Sequence, residues 1–220
     1  MKYENVYFSG MDLRHDVHGE NTPKFENAEA LSYPDNSFDY AVMCAAIHHT
    51  SLPNKVITEL YRVSKKGFLV IEAKDSFLMR IAGKLGLTEG YEVAGNFKAH
   101  GVNGTDIPNF IFRWTEREVE KTIFSFAPHV THRFQYRYYS NYPDGHGFGV
   151  MDRILCKLLK PVYHLFVLLL PKQQNSMAFY VRKPSVPEDL KPWLYFDKEN
   201  NEIKVDRDWI KTKYSKKLSR

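Results

Sequence analysis

The feature that most constrains this chain is a strand, a helix and a second strand in direct succession. Residues Phe38–Cys44 form an apolar run after turn-forming residues, and Pro53–Val63 carry apolar side chains at helical spacing. The next run, 68–72, is apolar up to its last residue, as in a strand that is covered on both faces. Strands joined by a crossover helix are parallel. We therefore predict an α/β fold, a mostly parallel sheet with helices on both faces.

Later segments fit the same fold. Thr115 precedes a helical pattern, and Glu118 occupies the reciprocal position of a capping box. The runs 132–139 and 177–181 alternate like strands, and we expect the second to lie antiparallel at one edge of the sheet. Between them, residues 141–175 form an insertion that contains a helical segment.

Length and composition bound the domain organisation and the location. With 220 residues, 43% of them hydrophobic, the chain can bury one sizeable core. We assign residues 1–183 to one domain and 184–220 to a polar C-terminal extension. The two cysteines are far apart, so they indicate neither a metal site nor a disulfide framework, and no metal site is predicted. A reducing compartment, the cytoplasm, is the expected location.

Charge and hydropathy narrow the choice of partners. The net charge of +5 is modest, and no basic stretch is interleaved with aromatic residues, so no nucleic-acid partner is predicted. The N-terminus carries no signal-peptide pattern. The longest uncharged apolar run, 162–170, is shorter than the roughly 20 residues that span a bilayer.

Three stretches of the sequence resemble those of a known protein family. They are Asn-Ala-Glu-Ala-Leu-Ser-Tyr-Pro-Asp-Asn-Ser-Phe-Asp at 27–39, Ala-Ala-Ile-His-His at 45–49, and Glu-Leu-Tyr-Arg-Val-Ser-Lys-Lys-Gly at 59–67. In this order they resemble the class I S-adenosylmethionine-dependent methyltransferases of the type 11 kind. The resemblance covers about residues 6–75, and it implies a Rossmann-like fold with S-adenosylmethionine as cofactor.

The resemblance implies roles for the residues at the strand ends. Asp12, with Leu13 beside it, matches the acid that holds the ribose hydroxyls, and the alternative is an ordinary loop aspartate. Asn27, Ala28 and Glu29 match the adenine contacts, and an asparagine carbonyl can still accept from the exocyclic amine. The alternative for Asn27 is a turn residue.

The next strand end matches the methionine portion of the cofactor. Cys44, Ala45 and Ala46 are small enough for a close approach, and core packing is their alternative. His48 and His49 follow, and either could accept a proton from the attacking group, shape the pocket or cap the strand.

The sequence departs from the family at its beginning. The family starts with a central strand and a glycine-rich turn, and Gly10 and Gly19 are not arranged in that way. A missing central strand leaves backbone groups unpaired inside a sheet. The sheet has then re-paired, a partner supplies the strand, or the chain is an N-terminally shortened product, which is the expectation we favour.

Two functions of different class follow. The first is methyl transfer from S-adenosylmethionine to an unidentified small-molecule, glycan or lipid-linked acceptor. The alternative is a non-catalytic methyltransferase remnant, or an interaction subunit, that cannot bind the cofactor alone.

Residues 150–170 bear on the acceptor and on the membrane. Arg153, Lys157 and Lys160 share one side of a predicted helix, and Pro161 is expected to break or kink it. The segment is either a cover buried on the domain or a lid that contacts an apolar acceptor at a membrane surface. The second case implies a protein that is cytoplasmic and peripheral to the membrane.

Overall fold

A computed structural model describes residues 9–10, 24–93, 101–140 and 149–218. The strands are β1 (Ser9–Gly10), β2 (Lys24–Phe25), β3 (Phe38–Cys44), β4 (Ser64–Ala73), β5 (Arg133–Tyr139), β6 (Ser176–Arg182), β7 (Leu194–Asp197) and β8 (Glu202–Val205). The α-helices are α1 (Pro53–Val63), α2 (Phe77–Lys84), α3 (Glu116–Phe126), α4 (Val150–Leu169) and α5 (Arg207–Leu218). Short 3-10 helices occupy Ile47–His49, Val102–Gly104 and Pro171–Gln173.

The main sheet has the strand order β3-β4-β6-β5. Strands β3 and β4 are parallel neighbours, with Cys44 opposite Ile71, as the strand-helix-strand pattern predicts. Strand β6 is antiparallel to both β4 and β5, so three of the four strands run in one direction. The predicted α/β fold is confirmed.

The position of β6 differs from the prediction, which placed an antiparallel strand at the edge of the sheet. In the structure β6 lies between β4 and β5. Its side chains Met177, Phe179 and Val181 are fully buried. Phe179 and Val181 lie opposite Val70 and Phe68 of β4, and Met177 lies opposite Glu72. The central position pairs both rows of its backbone groups, which an edge position would leave half unpaired.

One face of the sheet carries the core. Helices α1 and α3 contact each other and pack on this face, where Phe68 and Val70 of β4 lie beside Phe179 of β6. Trp114, which is fully buried just before α3, packs near Phe179 with the ring centroids 6.1 Å apart and the rings tilted by 51°. The predicted capping box is present: Thr115 accepts from the backbone N–H of Glu118, whose side chain accepts from the backbone of Thr115. It fixes the start of α3 under the sheet.

The opposite face is open at β3. Tyr40 and Val42 point to this face and are 55% and 65% exposed. Within the part of the chain that the structure describes, β3 pairs with β4 alone and forms the edge of the sheet. The parallel pair of β1 and β2 is a separate two-stranded unit.

Two segments outside the main sheet complete the fold. Helix α4 runs continuously through Pro161, so of the predicted break or kink the break is wrong. A proline removes a single N–H donor, and the hydrogen bonds on either side continue the helix. The segment after β6 forms the β7–β8 hairpin and α5, and a backbone bridge joins Val130 to Leu190.

Gly67 lies inside a strand rather than at the end of a helix. Two lysines followed by glycine are typical of a helix end, but α1 ends at Val63 and residues 64–67 already belong to β4. Gly67 has a φ of +149°, and a Cβ placed there would lie 2.4 Å from the carbonyl oxygen of Val181. Glycine is therefore needed for the close approach of β4 and β6 at a register shift between β3 and β4.

We predict that Gly67→Ala lowers the free energy of unfolding by roughly 1–3 kcal/mol, because the methyl group meets backbone atoms and the φ is strained. Urea denaturation followed by circular dichroism measures the change. The control is Gly90→Ala, where nothing lies within 4 Å of the added Cβ. Equal stability of the two variants would contradict the close approach.

Candidate functional site

The carboxylate of Glu72, near the end of β4, organises the carboxyl edge of the sheet. Its Oε1 atom accepts hydrogen bonds from the backbone N–H groups of Ala46, at 2.7 Å, and Ile47, at 2.8 Å. Its Oε2 atom lies 2.8 Å from Nδ1 of His48. Glu72 is buried, and these three partners offset the desolvation of its charge.

The chain leaves β3 through an unusual backbone conformation at Ala45. Its φ is +47°, in the left-handed region that non-glycine residues seldom adopt. The N–H of Ala45 donates to the carbonyl of Ile71 at 2.9 Å, and this bond holds the turn against β4. Cys44 and Ala45 are exposed at this point. This turn lies at the carboxyl end of a strand, which is where open α/β sheets bind their ligands.

His48 is buried and has a defined orientation. Burial opposes its charged form, but the hydrogen bond and the charge of Glu72, together with Glu92, raise the pKa of His48 above its ordinary value. Because the Nδ1 atom faces an acceptor, it carries the proton in the neutral ring, and the Nε2 atom presents a lone pair. Glu72 thus sets the tautomer of His48.

Glu92 approaches both histidines from a distant part of the chain. Its carboxylate lies 3.7 Å from Nε2 of His48 and 3.7 Å from Nε2 of His49. A bridge between Tyr91 and Phe110, with their rings 5.4 Å apart, fixes the extended segment that carries Glu92. The two imidazoles and this carboxylate therefore face one another at the surface end of the site.

The turn at 27–29 joins the same region. Ala28 is buried in the core with Ile47, and Oε1 of Glu29 accepts from the N–H of Leu52 at 2.9 Å. Oδ1 of Asn27 accepts from the N–H of Glu29 at 2.9 Å, which uses one of its two lone pairs. The structure thus links the predicted adenine-contacting turn to the loop that follows β3.

An ion pair in α1 holds the chain after this turn. Oε2 of Glu59 accepts from the N–H of Leu31 at 3.0 Å and from Arg62 at 2.7 Å. The Arg62 guanidinium also donates to the carbonyls of Leu31 and Tyr33. Its hydrogen bond to the Glu59 carboxyl lowers the pKa of that group. The turn is therefore fixed to a helix rather than left as a free loop.

The predicted site residues divide into two groups. Those that the structure gathers at the carboxyl end of β3 are Asn27, Ala28, Glu29, Cys44, Ala45, Ala46, His48 and His49. Asp12 and Leu13 lie outside the described residues, and their roles stay predictions. Glu92 was not predicted, because a single glutamate in a stretch rich in glycine and asparagine does not indicate a functional site. Glu72 was expected near the strand end, but its hydrogen bonds were not.

A separate cavity of about 580 Å³ lies beyond the end of β4. Its lining includes Lys74, Glu116 and Gln173. Lys74 is buried, and its Nζ atom lies 2.7 Å from Oε2 of Glu116. Burial opposes the charge of Glu116, but the bonds from Lys74 and Tyr138 lower the pKa of Glu116 below its usual value. This cavity therefore has a pair of opposite charges in its wall.

Residues 11–71 match the family model described as a methyltransferase domain. The match includes the 27–29 turn, β3, the loop with both histidines, α1 and most of β4. The predicted resemblance of this stretch to the class I S-adenosylmethionine-dependent methyltransferases is confirmed.

Individual relatives match more narrowly. The C-methyltransferase UbiE of ubiquinone and menaquinone biosynthesis from Hydrogenovibrio crunogenus is 44% identical over 41 residues, which are 19% of this chain and 16% of that protein. A methyltransferase from Thermotoga maritima, described as a possible histamine N-methyltransferase, is 17% identical, with a TM-score of 0.42, and the match covers 74% of this chain and 64% of that one. The YcgJ protein of Bacillus subtilis is 19% identical, with a TM-score of 0.41, over 76% and 73% of the two chains.

Within the described residues, no helix combines the length and the apolar character needed to cross a membrane.

We predict that Glu72→Gln lowers the free energy of unfolding by roughly 1–3 kcal/mol, because a neutral amide replaces a buried carboxylate that accepts three hydrogen bonds. Urea denaturation measures the change, and nitrogen NMR of His48 reports whether its tautomer is lost. The control is Glu202→Gln, whose exposed ion pair with Lys204 is expected to contribute less than about 1 kcal/mol. An unchanged His48 tautomer would contradict the role given to Glu72.

Proposed function

We propose that this protein transfers a methyl group from S-adenosylmethionine to an acceptor bound at the carboxyl edge of the sheet. The observation that carries the proposal is the position of residues matched by the methyltransferase family: the 27–29 turn and the 44–49 loop meet at the end of β3. This is the edge at which open α/β sheets bind their ligands.

The residues present fit such a cofactor. Cys44 and Ala45 are small and exposed, and Ala45 turns the backbone away from the strand, so the strand end stays open to a ligand. The turn at Ala28 and Glu29 supplies backbone groups beside it. The cofactor contributes a methyl group on a sulfonium centre, and alignment of the nucleophile with that group supplies much of the rate enhancement.

The two histidines have different prospects as proton acceptors. His48 is buried, and its Nε2 atom faces Glu92, whereas His49 is half-buried. A raised pKa reduces the neutral fraction of His48 near neutral pH, so less of the ring is free to accept a proton there. We assign His49 the role of proton acceptor, and His48 the role of orienting the loop.

The second candidate function is a non-catalytic remnant or interaction subunit. The observation that favours it is the exposure of β3. Tyr40 and Val42 are exposed on one face of this strand, and within the described residues its backbone pairs with β4 alone. A strand supplied by a partner would cover that edge by β-augmentation. In that case the chain alone lacks part of the cofactor pocket.

Calorimetric titration with S-adenosylhomocysteine distinguishes the two functions. We expect saturable binding, which Asp12→Ala weakens by about 1–3 kcal/mol, the range for a hydrogen bond to a charged group. The control, Asp39→Ala, removes an exposed carboxylate at the opposite end of β3 and leaves the affinity unchanged. Absence of binding at millimolar ligand supports the remnant function.

Helix α4 supports a lipid-linked acceptor as the finer proposal. Leu165, Leu168 and Leu169 are 59%, 76% and 70% exposed, which is the exposure that a lid requires and a buried cover forbids. Val167 is buried, so one side of the helix still packs on the protein. Lys157 and Lys160 are exposed in the preceding turns. Apolar side chains beside cations suit an anionic membrane surface.

We expect the wild-type chain to float with anionic liposomes and to float less with neutral ones. Leu165→Asp combined with Leu169→Asp abolishes flotation, because two charges enter the apolar surface. Leu87→Asp, at a comparably exposed leucine outside α4, is the matched control and retains it. Failure of the wild-type chain to float rejects the membrane proposal but leaves methyl transfer to a water-soluble acceptor intact.

A further inference from the structure

The cluster of His48, His49 and Glu92 has the composition and spacing of a metal site. One ligand atom from each residue lies within 4.8 Å of the other two. Both contacts of the carboxylate with an imidazole Nε2 atom are 3.7 Å. In a tetrahedral zinc site with bonds of 2.0–2.1 Å, neighbouring ligand atoms lie roughly 3.3 Å apart. Small side-chain rotations would bring these three atoms to that spacing.

The buried Glu72 gives the cluster the outer partner that metal-binding histidines have. A metal-ligating imidazole usually donates its other N–H to a carboxylate, which fixes the ring and raises its basicity. Nδ1 of His48 makes this contact with Oε2 of Glu72 at 2.8 Å, and Oε1 of Glu72 is anchored by two backbone N–H groups. The Nε2 atom of His48 is thereby directed towards Glu92 before any ion binds.

We propose that Nε2 of His48, Nε2 of His49 and the carboxylate of Glu92 bind one divalent transition-metal ion of the zinc type, with Glu72 positioning His48. Two imidazoles and one carboxylate favour such ions over magnesium or calcium, which prefer oxygen ligands. Three protein ligands leave a fourth position for water or another small ligand. The side chain of Glu92 is 38% exposed, so an ion can enter from solvent.

The metal site does not depend on the cofactor, but it bears on the proton acceptor: an ion bound to Nε2 of His49 would leave only the Nδ1 atom of that ring to accept a proton. The sequence does not indicate this site. The histidines are adjacent in the chain, but Glu92 comes near them only because its segment pairs with Phe110. The alternative is a cluster of imidazole and carboxylate groups held together by hydrogen bonds and charge alone. Zinc titration separates the two.

The test uses the full chain after treatment with a chelator, titrated with Zn²⁺ against a chromophoric competitor. We expect binding of one Zn²⁺ that excess Mg²⁺ does not displace. His49→Ala and Glu92→Gln each weaken it at least about 10-fold. Glu72→Gln weakens it by about 10- to 100-fold, the range for an outer-shell partner. His129→Ala, at an exposed histidine outside the cluster, leaves the affinity unchanged.

X-ray absorption of the zinc-loaded protein supplies a second measurement. We expect a nitrogen and oxygen shell at about 2.0–2.1 Å with the outer scattering of two imidazoles, reduced to one in His49→Ala. Both His49→Ala and Glu92→Gln change partly exposed side chains, so circular dichroism should show that they fold. Binding of equal affinity in wild type, His49→Ala and Glu92→Gln, or no binding of Zn²⁺ by the wild-type chain, overturns the proposal.

Discussion

The hydrogen bonds to the buried carboxylate of Glu72 are the interaction on which the functional end of this protein depends. The backbone after β3 turns sharply at Ala45, and the next two N–H groups would lie buried without partners if Glu72 were absent. One carboxylate satisfies both and also orients His48. The position of Glu72 near the end of β4 therefore determines the conformation of a loop that follows a different strand, β3. The geometry of this loop and the tautomer of His48 share this single cause, whereas the bridge between Tyr91 and Phe110 brings Glu92 to the histidines.

The sheet supporting this site is built from one well-packed face. Helices α1 and α3 cover Phe68, Val70 and Phe179, while the other face is open at β3. In this fold class a further strand would pair with β3 and place it in the interior of the sheet, but the described residues leave it at an edge. Stability comes from the covered face, and the open face and the exposed side of α4 remain available for contacts with other molecules.

Local patterns predicted the elements well, and distant pairings account for what they missed. The helix Pro53–Val63 and the capping box at Thr115 depend on residues within a few positions, so the sequence alone specifies them. The central place of β6 depends on backbone pairing with two strands far away in the chain, which no local pattern encodes. Gly67 followed two lysines like a helix stop, yet its conformation is set by Val181 across the sheet.

The same division applies to the candidate site. The histidines and the small residues after β3 were found because they are contiguous in sequence and resemble a family motif. Glu92 was missed because only the pairing of its segment with Phe110 brings it near. The hydrogen bonds of Glu72 were equally invisible, since an acidic residue at a strand end has many alternative environments.

The central position of β6 has a consequence for synthesis on the ribosome. Strand β6 follows β4 by roughly 100 residues, so at about 5–20 residues per second the nascent chain exposes the unpaired edge of β4 for about 5–20 s. During that interval α1 can already cover Phe68 and Val70, because it lies between β3 and β4 in sequence. During this interval the strand-helix-strand unit has one edge of β4 unpaired, and that exposed edge is a binding site for a chaperone.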